Sequence, residues 1–589
     1  MSRWDHQDRW IALILAISVF GVLFATERTL AVGWDEPVYA ENGQRIILWL
    51  GMLIRGLVRG DVSESLNPTA IGLSFGLNHE HPPLAKAISG LGWALTRNWL
   101  PLPTAHRVGP MALSATLAAW IYVAVRQAGA GRIGALVGAL ALLDMPRLFF
   151  HAHVAGLDLP AAALWFFAVW VFWRLTLITE AAGNAQDPST VKPSWSSLRG
   201  FSQLWTWIVP GLAFGLALAT KISNVLASIG VVLWVLASRD QRRRWDLWGR
   251  LILMGPLGLL TLIVLFPWFW SETGSKLINW ARFFTVSHYE IYQYYLGKTY
   301  LEPPWHFPIV TVLVTVPVPL LALAAIGAAQ GIRPGPTQLA ARLWLIQALL
   351  PVAWFMRPSS RAFDGDRLLM PTYVFLAPLV GLGFDTAARW LSSRAFARTR
   401  DDERRISGGS LPSPIVMRKA WPELLTVVLG IAMLAPGALA IVRLHPFELA
   451  YYNEAIGGVR GAHRLQLETI YWASTYRAVL PELNRRAAPG ATVWVMPNSW
   501  DVMYYYQKAG LLRDDLVMVR PPGWGSFYDD SGVKWTEGGM DQADFAIVEY
   551  RQTTFFDYVV DYMAQHQPVW TLDYQGVPLV ALYQRSNRR

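Results

Sequence analysis

Hydrophobic residues in this chain come in long unbroken blocks rather than at the spacing of one helix face or one strand face. The first block, Trp10 to Leu30, has about the length needed to cross a bilayer's hydrocarbon core. Similar blocks recur at 106–127, 131–150, 154–178, 204–220, 222–238, 250–270, 306–328, 341–357, 368–388 and 422–443. Together they predict a mainly α polytopic membrane protein with about eleven spans. Arg45 to Val58 is apolar but interrupted by Arg55, which predicts a helix lying at the membrane surface.

Basic residues test that count, because an error of one span would exchange the sides of every later loop. Arg126 and Arg132, then Lys192 and Arg199, then Arg239, Arg242, Arg243, Arg244 and Arg250, then Arg333 and Arg342 all sort to the side of the N-terminus. The basic stretch from Arg389 to Lys419 joins them. That side reads as cytoplasmic, with the first span a retained anchor rather than a cleaved signal. The opposite side collects Asp35, the stretch His79 to Lys86, His151 to Asp158, Lys221, residues 271–305, Arg357 to Arg367 and everything after about 444.

After Leu444 the pattern becomes mixed and alternating. Helices are predicted at 476–488, 500–509 and 554–565, and strands at 491–496, 515–519, 543–549, 568–573 and 577–583. Alternating strands and helices imply a soluble α/β domain, so the chain divides into a membrane part, 1–443, and an extracytoplasmic domain, 444–589. Gly523-Trp524-Gly525 reads as a turn and not as a phosphate cradle.

Composition agrees with this division. A chain of 589 residues that is 53% hydrophobic and 16% charged is too apolar for a soluble multidomain protein. Its 30 Trp and 21 Tyr suit interfacial belts or sugar-binding surfaces. The net charge of +10 lies in short loops, where topology explains it and nucleic acid is not implied. With no cysteine there is no disulfide, thiolate metal site or cysteine nucleophile.

Two short strings carry the chemistry. Gly33-Trp34-Asp35-Glu36-Pro37 sets two adjacent carboxylates where the first span reaches water. His79-Glu80-His81-Pro82-Pro83-Leu84-Ala85-Lys86 packs acid, imidazoles and an ammonium group before the next apolar segment. Each has a plain reading: a solvated helix end, and a proline-started helix with a snorkelling lysine. As a pair they resemble the first large loop of the GT-C lipid-linked-sugar glycosyltransferases, which include protein O-mannosyltransferases and the aminoarabinose transferases of lipid A. Gly215 to Lys221 (GLALATK) and Phe363-Asp364-Gly365-Asp366-Arg367 resemble further GT-C strings. The C-terminal α/β domain is closer to the aminoarabinose-transferase branch, and the HPPL string to the mannosyltransferases.

The resemblance implies a sugar moved from a polyprenyl phosphate to a lipid, glycan or protein hydroxyl at the outer face of a bacterial inner membrane. Such a reaction needs a general base for the acceptor and cations for the phosphate. Asp35 is the expected base, acting opposite the leaving group and so inverting the anomeric carbon. Glu36 would orient the acceptor or Asp35, with Asp158 as a second acid. Lys221, Arg367 and Lys86 are the expected phosphate ligands, and Glu80, His81, His153 and Arg361 the expected substrate contacts. Glu80, His81, His153 and Asp158 could hold a divalent ion, although their spacing is not diagnostic. The aromatic stretch 271–305 reads equally as an interfacial anchor and as a flap over a sugar and isoprenoid groove. Two rival readings are a transporter or flippase of lipid-linked sugars and a non-catalytic receptor whose site lies after residue 444.

Overall fold

The computed structural model describes residues 5–184, 199–285, 289–406, 417–523 and 534–585. Lys192, used above to sort the loops, lies outside the described residues, as do Trp524 and Gly525.

Asp5 starts the first helix, His6–Thr26. Its side chain accepts from the Asp8 N–H at 3.0 Å while the Asp8 side chain accepts from the Asp5 N–H at 3.2 Å, satisfying two otherwise free helix donors. Among the described residues seven helices are long and apolar enough to cross a membrane, His6–Thr29, Thr104–Gln127, Asp158–Thr179, Trp245–Leu265, Gln338–Phe355, Arg367–Ser393 and Glu423–Leu444. The protein is a multi-pass membrane protein. Two further helices, Phe307–Thr315 and Val318–Ile332, pass the same test only as a pair and meet at 115°, making eight spans when the pair is counted as one. The bend falls at Val316-Pro317, where proline lacks the helix N–H and disfavours helical geometry before it.

The remaining apolar segments form shorter helices, Arg132–Ala141, Leu204–Leu218 and Ile222–Ala237. The segment 131–150, expected as one continuous span, is two helices. Arg132–Ala141 rises only about 15 Å, a turn follows, and Pro146 starts a separate short helix, Pro146–His151. The surface helix expected at Arg45 also begins earlier, running from Glu36 to Arg59.

The span from Arg367 to Ser393 is the hub of the bundle and is mostly buried, whereas Glu423–Leu444 lies at its rim and is mostly exposed. Close approach is possible because small residues meet. A Cβ added to Gly138 would stand 2.9 Å from the Gly381 Cα, and such contacts drive helix association where lipid removes the hydrophobic difference. One end of the bundle joins Asp8 to Arg126 at 2.9 Å and to Arg132 at 3.2 Å. Asp35, Asp158, Lys221 and Arg367 meet at the other.

A small hairpin, β1 (Gln293–Tyr295) and β2 (Lys298–Tyr300), precedes the bent helix pair. After Leu444 the chain builds a six-stranded sheet from β3 (Thr492–Met496), β4 (Val517–Arg520), β5 (Trp535–Glu537), β6 (Phe545–Glu549), β7 (Trp570–Tyr574) and β8 (Val577–Gln584). Its order is β5-β4-β3-β6-β8-β7, parallel through β6 and antiparallel at β8 and β7. Helices Tyr476–Arg486, Trp500–Lys508 and Asp557–Gln565 accompany it. The alternation in the sequence foretold these elements except β5, an exposed edge of three residues.

Sheet and bundle are tied at the exit from the last span. The Asn453 amide donates to the Leu313 and Val316 carbonyls at 2.7 and 2.9 Å, and its N–H to the Val314 carbonyl at 2.8 Å. Those are the carbonyls that the break at Pro317 would otherwise leave unpaired.

Candidate functional site

Asp364 and Gly365 both adopt positive φ, +54° and +62°. The resulting tight turn sends Asp364, Asp366 and Arg367 toward different partners. Arg367 donates from Nε to Asp158 Oδ2 at 2.9 Å, from Nη1 to Asp364 Oδ2 at 2.6 Å and from Nη2 to Asp35 Oδ2 at 2.7 Å. Lys221 Nζ donates to the other oxygen of Asp158 at 2.5 Å. The HPPL string reaches the same place, because the Leu84 N–H donates to the Ala219 carbonyl at 2.9 Å, two residues before Lys221. Asp35, Asp158, Lys221 and Arg367 thus form one cluster from four distant segments.

The two carboxylates differ in access. Asp158 is 2% exposed and engaged at both oxygens, whereas Asp35 is 29% exposed. Oδ2 of Asp35 takes both of its side-chain donors, Arg367 and Trp472 Nε1 at 3.2 Å. Among the described residues no hydrogen bond reaches its Oδ1. A carboxylate gripped on one oxygen and open on the other can accept a proton from an incoming hydroxyl.

Glu36 points the other way. Arg107 grips both its oxygens at 2.7 and 2.8 Å, the Ala155 and Gly33 N–H groups add bonds at 2.9 and 3.1 Å, and the side chain is fully buried. It therefore cannot touch an acceptor. Its bonds to Arg107 and to the Gly33 and Ala155 N–H groups tie down the turn that carries Asp35.

Lys86 is likewise turned inward, 2% exposed, donating to the Asn78 and His81 carbonyls at 2.9 and 2.8 Å. Burial pulls its pKa down to about 7. Its expected place on the donor phosphate gives way to holding the His79–Pro83 loop. His153 is fully buried between Thr26 Oγ1 at 2.9 Å and the Phe149 carbonyl at 2.7 Å, bonds that leave it no route to substrate. Glu80 and His81 stay half-buried beside the cluster. Glu80 accepts from Asn78 at 2.8 Å, and Tyr39 packs edge-on against His81 with 6.1 Å between ring centres. Burial, with Lys221 and Lys86 nearby, keeps His81 well below the usual imidazole range. Arg361 is half-buried in the loop leading to Asp364. Among the described residues no three His, Asp or Glu side chains gather as a metal would need, and Asp158 already neutralises two cations. The residues present do not fit the divalent ion.

The stretch 271–305 does reach the site. The Trp280 indole donates to the Glu80 carbonyl at 2.8 Å, while Tyr289, Tyr292 and Trp305 are exposed.

Several site residues carried little signal in the sequence. Trp472 sits in Ile470-Tyr471-Trp472, which reads as ordinary core. Arg551, just after β6, donates to Asp364 Oδ1 at 2.6 Å. Arg147 and Tyr471 both donate to Asp366 Oδ1, at 3.1 and 2.7 Å. Beside them a cavity of about 20 Å³, lined by Arg147, Gln293, Gly365, Glu468 and Tyr471, has room for one water. Arg107 did carry a signal, since an arginine within an apolar span demands a buried partner.

No protein-family model matches the chain, and no curated protein matches it. Among solved structures, ArnT from Cupriavidus metallidurans aligns over 98% of both chains at 17% identity and a TM-score of 0.49 in the apo state. The same protein bound to undecaprenyl phosphate aligns over 97% of both chains at 17% identity and 0.48. The archaeal oligosaccharyltransferase AglB from Archaeoglobus fulgidus, in complex with an inhibitory peptide and a dolichol-phosphate, aligns over 87% of this chain and 65% of its own, at 11% identity and 0.42.

Proposed function

We propose that this protein is a GT-C-type membrane glycosyltransferase that moves a sugar from a polyprenyl-phosphate donor to an acceptor hydroxyl at the outer face of a bacterial inner membrane. The observation that carries the reading is the Arg367 cluster, in which one half-open carboxylate, Asp35, shares a guanidinium with a buried one beside Lys221.

Asp35 is the general base. Its Oδ1 takes the acceptor proton as the hydroxyl oxygen attacks the anomeric carbon, the bond to the phosphate oxygen breaks on the opposite face, and the configuration inverts. Lys221 spends one N–H on Asp158 and keeps two for phosphate oxygens. Arg367 has all three edges on carboxylates in the resting state. A donor phosphate that takes its Nη2 edge frees Oδ2 of Asp35 from that ion pair. Donor binding then arms the acceptor side. Asp158 holds Lys221 and Arg367 at a fixed separation, and Glu36 with Arg107 fixes the turn beneath Asp35.

The transporter reading places its coupling charges near the membrane midplane; here the acids lie together at one end of the bundle. The test is transfer by purified protein with polyprenyl-phosphate sugars supplied one at a time, with Asp35→Asn as control. Transfer by the parent and its loss in the variant are expected; transfer unchanged in Asp35→Asn removes Asp35 from the role, and none with any donor removes the enzyme.

A further inference from the structure

Trp472 lies in sequence between the last span and the sheet, yet its indole is inserted into the cluster on the membrane side. Nε1 donates to Asp35 Oδ2 at 3.2 Å, and the Arg367 guanidinium carbon stands 4.4 Å from the ring centre. His151 and Phe150 close the remaining sides with ring centres at 5.4 and 6.2 Å.

Room for the ring is made at two glycines far away in sequence. A Cβ on Gly33 would stand 2.5 Å from Trp472 Cζ3, and one on Gly156 would stand 3.3 Å from its Cη2. The backbone bends to deliver it. Trp472 and Ala473 are consecutive non-glycine residues at φ +69° and +58°, a conformation that L side chains disfavour and that persists only when neighbours impose it. Those neighbours are visible. The Trp34 N–H donates to the Trp472 carbonyl at 3.1 Å, and Glu549 at the end of β6 accepts the Ala473 and Thr475 N–H groups at 3.0 and 3.2 Å. A tryptophan serving only to fill space needs neither a carboxylate partner nor a strained turn.

We infer that Trp472 is a positioning residue for the transfer reaction, fixing Asp35 by its Oδ2 so that Oδ1 faces the acceptor and backing Arg367 so that its Nη2 edge is presented to the donor phosphate. The region after Leu444 thereby completes the active site. This rests on the glycosyltransferase reading above.

The indole N–H anchors Asp35 by one oxygen, so its removal lets the carboxylate turn away from the acceptor. A change in Trp472 alone leaves the bonds among Arg367, Asp158, Asp364 and Lys221 in place. The experiment is steady-state transfer by the full chain, using a polyprenyl-phosphate sugar that the parent accepts. Trp472→Phe keeps a ring and loses the N–H. It is expected to lower kcat about tenfold with donor KM unchanged. Trp472→Leu also loses the ring behind Arg367, so its donor KM should rise several-fold. Gly156→Ala presses on the same ring without altering it, giving a smaller fall in kcat.

A Trp472→Phe enzyme with the parent's kcat overturns the inference, even if it melts earlier, because that is the behaviour of a packing residue. If Trp472→Phe yields no folded protein, an unchanged kcat in Gly156→Ala overturns it. Absence of transfer by the parent overturns the enzyme reading itself, a result distinguishable from either.

Discussion

Arg107 and Glu36 face one another in a two-point contact, Nε to Oε1 at 2.7 Å and Nη2 to Oε2 at 2.8 Å, with neither side chain exposed. Arg107 also donates to the Ala31 carbonyl at 2.7 Å, so one guanidinium ties the helix Thr104–Gln127 to the segment leading into Asp35. Breaking a buried pair strands a charge and costs about 3–5 kcal/mol. Arg107→Ala and Glu36→Ala should therefore lower the yield and thermal midpoint of detergent-solubilised protein sharply. A parent-like midpoint in either variant would show that the pair does not secure the turn.

Asp35→Asn should behave in the opposite way. The amide oxygen can still accept from Arg367 and Trp472, so the thermal midpoint should stay near that of the parent. Turnover should fall by about 10²–10⁴, the usual worth of a general base, with donor binding retained. Single-turnover transfer and donor binding measured on one preparation separate the two effects.

Lys221 and Arg367 should not be equivalent. Lys221 is bound to one carboxylate oxygen and is partly open, so Lys221→Gln should raise donor KM about tenfold with modest loss of stability. Arg367 spans three carboxylates, a geometry that an ammonium group cannot copy, so Arg367→Lys should weaken donor binding and also lower the thermal midpoint. Equal donor affinity in Arg367→Lys would take that residue off the phosphate.

The difference between the legible and illegible parts of this site is physical. Asp35, Asp158, Lys221 and Arg367 stand out because a charge beside an apolar span is costly, and their sorting by side needed only the neighbouring basic loops. Which charges the fold leaves open was not legible, since Glu36 is the next residue after Asp35 and Lys86 lies five residues after His81, and only the turns of the fold bury them. Trp472 was invisible because an aromatic residue among apolar neighbours is the ordinary pattern of a core. The break at Pro317 was written in Val316-Pro317-Val318-Pro319, but the span length around it reads as one crossing.

Removing divalent ions should leave transfer unchanged. Asp158 is the acid best placed for a metal, and Lys221 and Arg367 already occupy its two oxygens. Turnover in excess chelator is the measurement; loss of activity restored by one divalent cation would mean that donor binding rearranges those ion pairs.

The turn carrying Trp472 should make stability depend on pH through Glu549. This carboxylate is fully buried and accepts from the Ala473 N–H, the Thr475 N–H and the Thr475 hydroxyl, and burial pushes its pKa up to about 7. In the unfolded chain it ionises near the ordinary glutamate value of about 4.3. Between those two values the fold holds a proton that the unfolded chain has lost, so this group's contribution is complete on the acid side and is lost as pH rises through about 7. The difference between pH 4 and pH 8 amounts to about 3 kcal/mol. Glu549→Gln cannot ionise; its one accepting oxygen can serve the Thr475 N–H and hydroxyl, at the loss of the bond from the Ala473 N–H. Its thermal midpoint should therefore decline less than the parent's between those pH values, and an identical decline would place the pH dependence elsewhere.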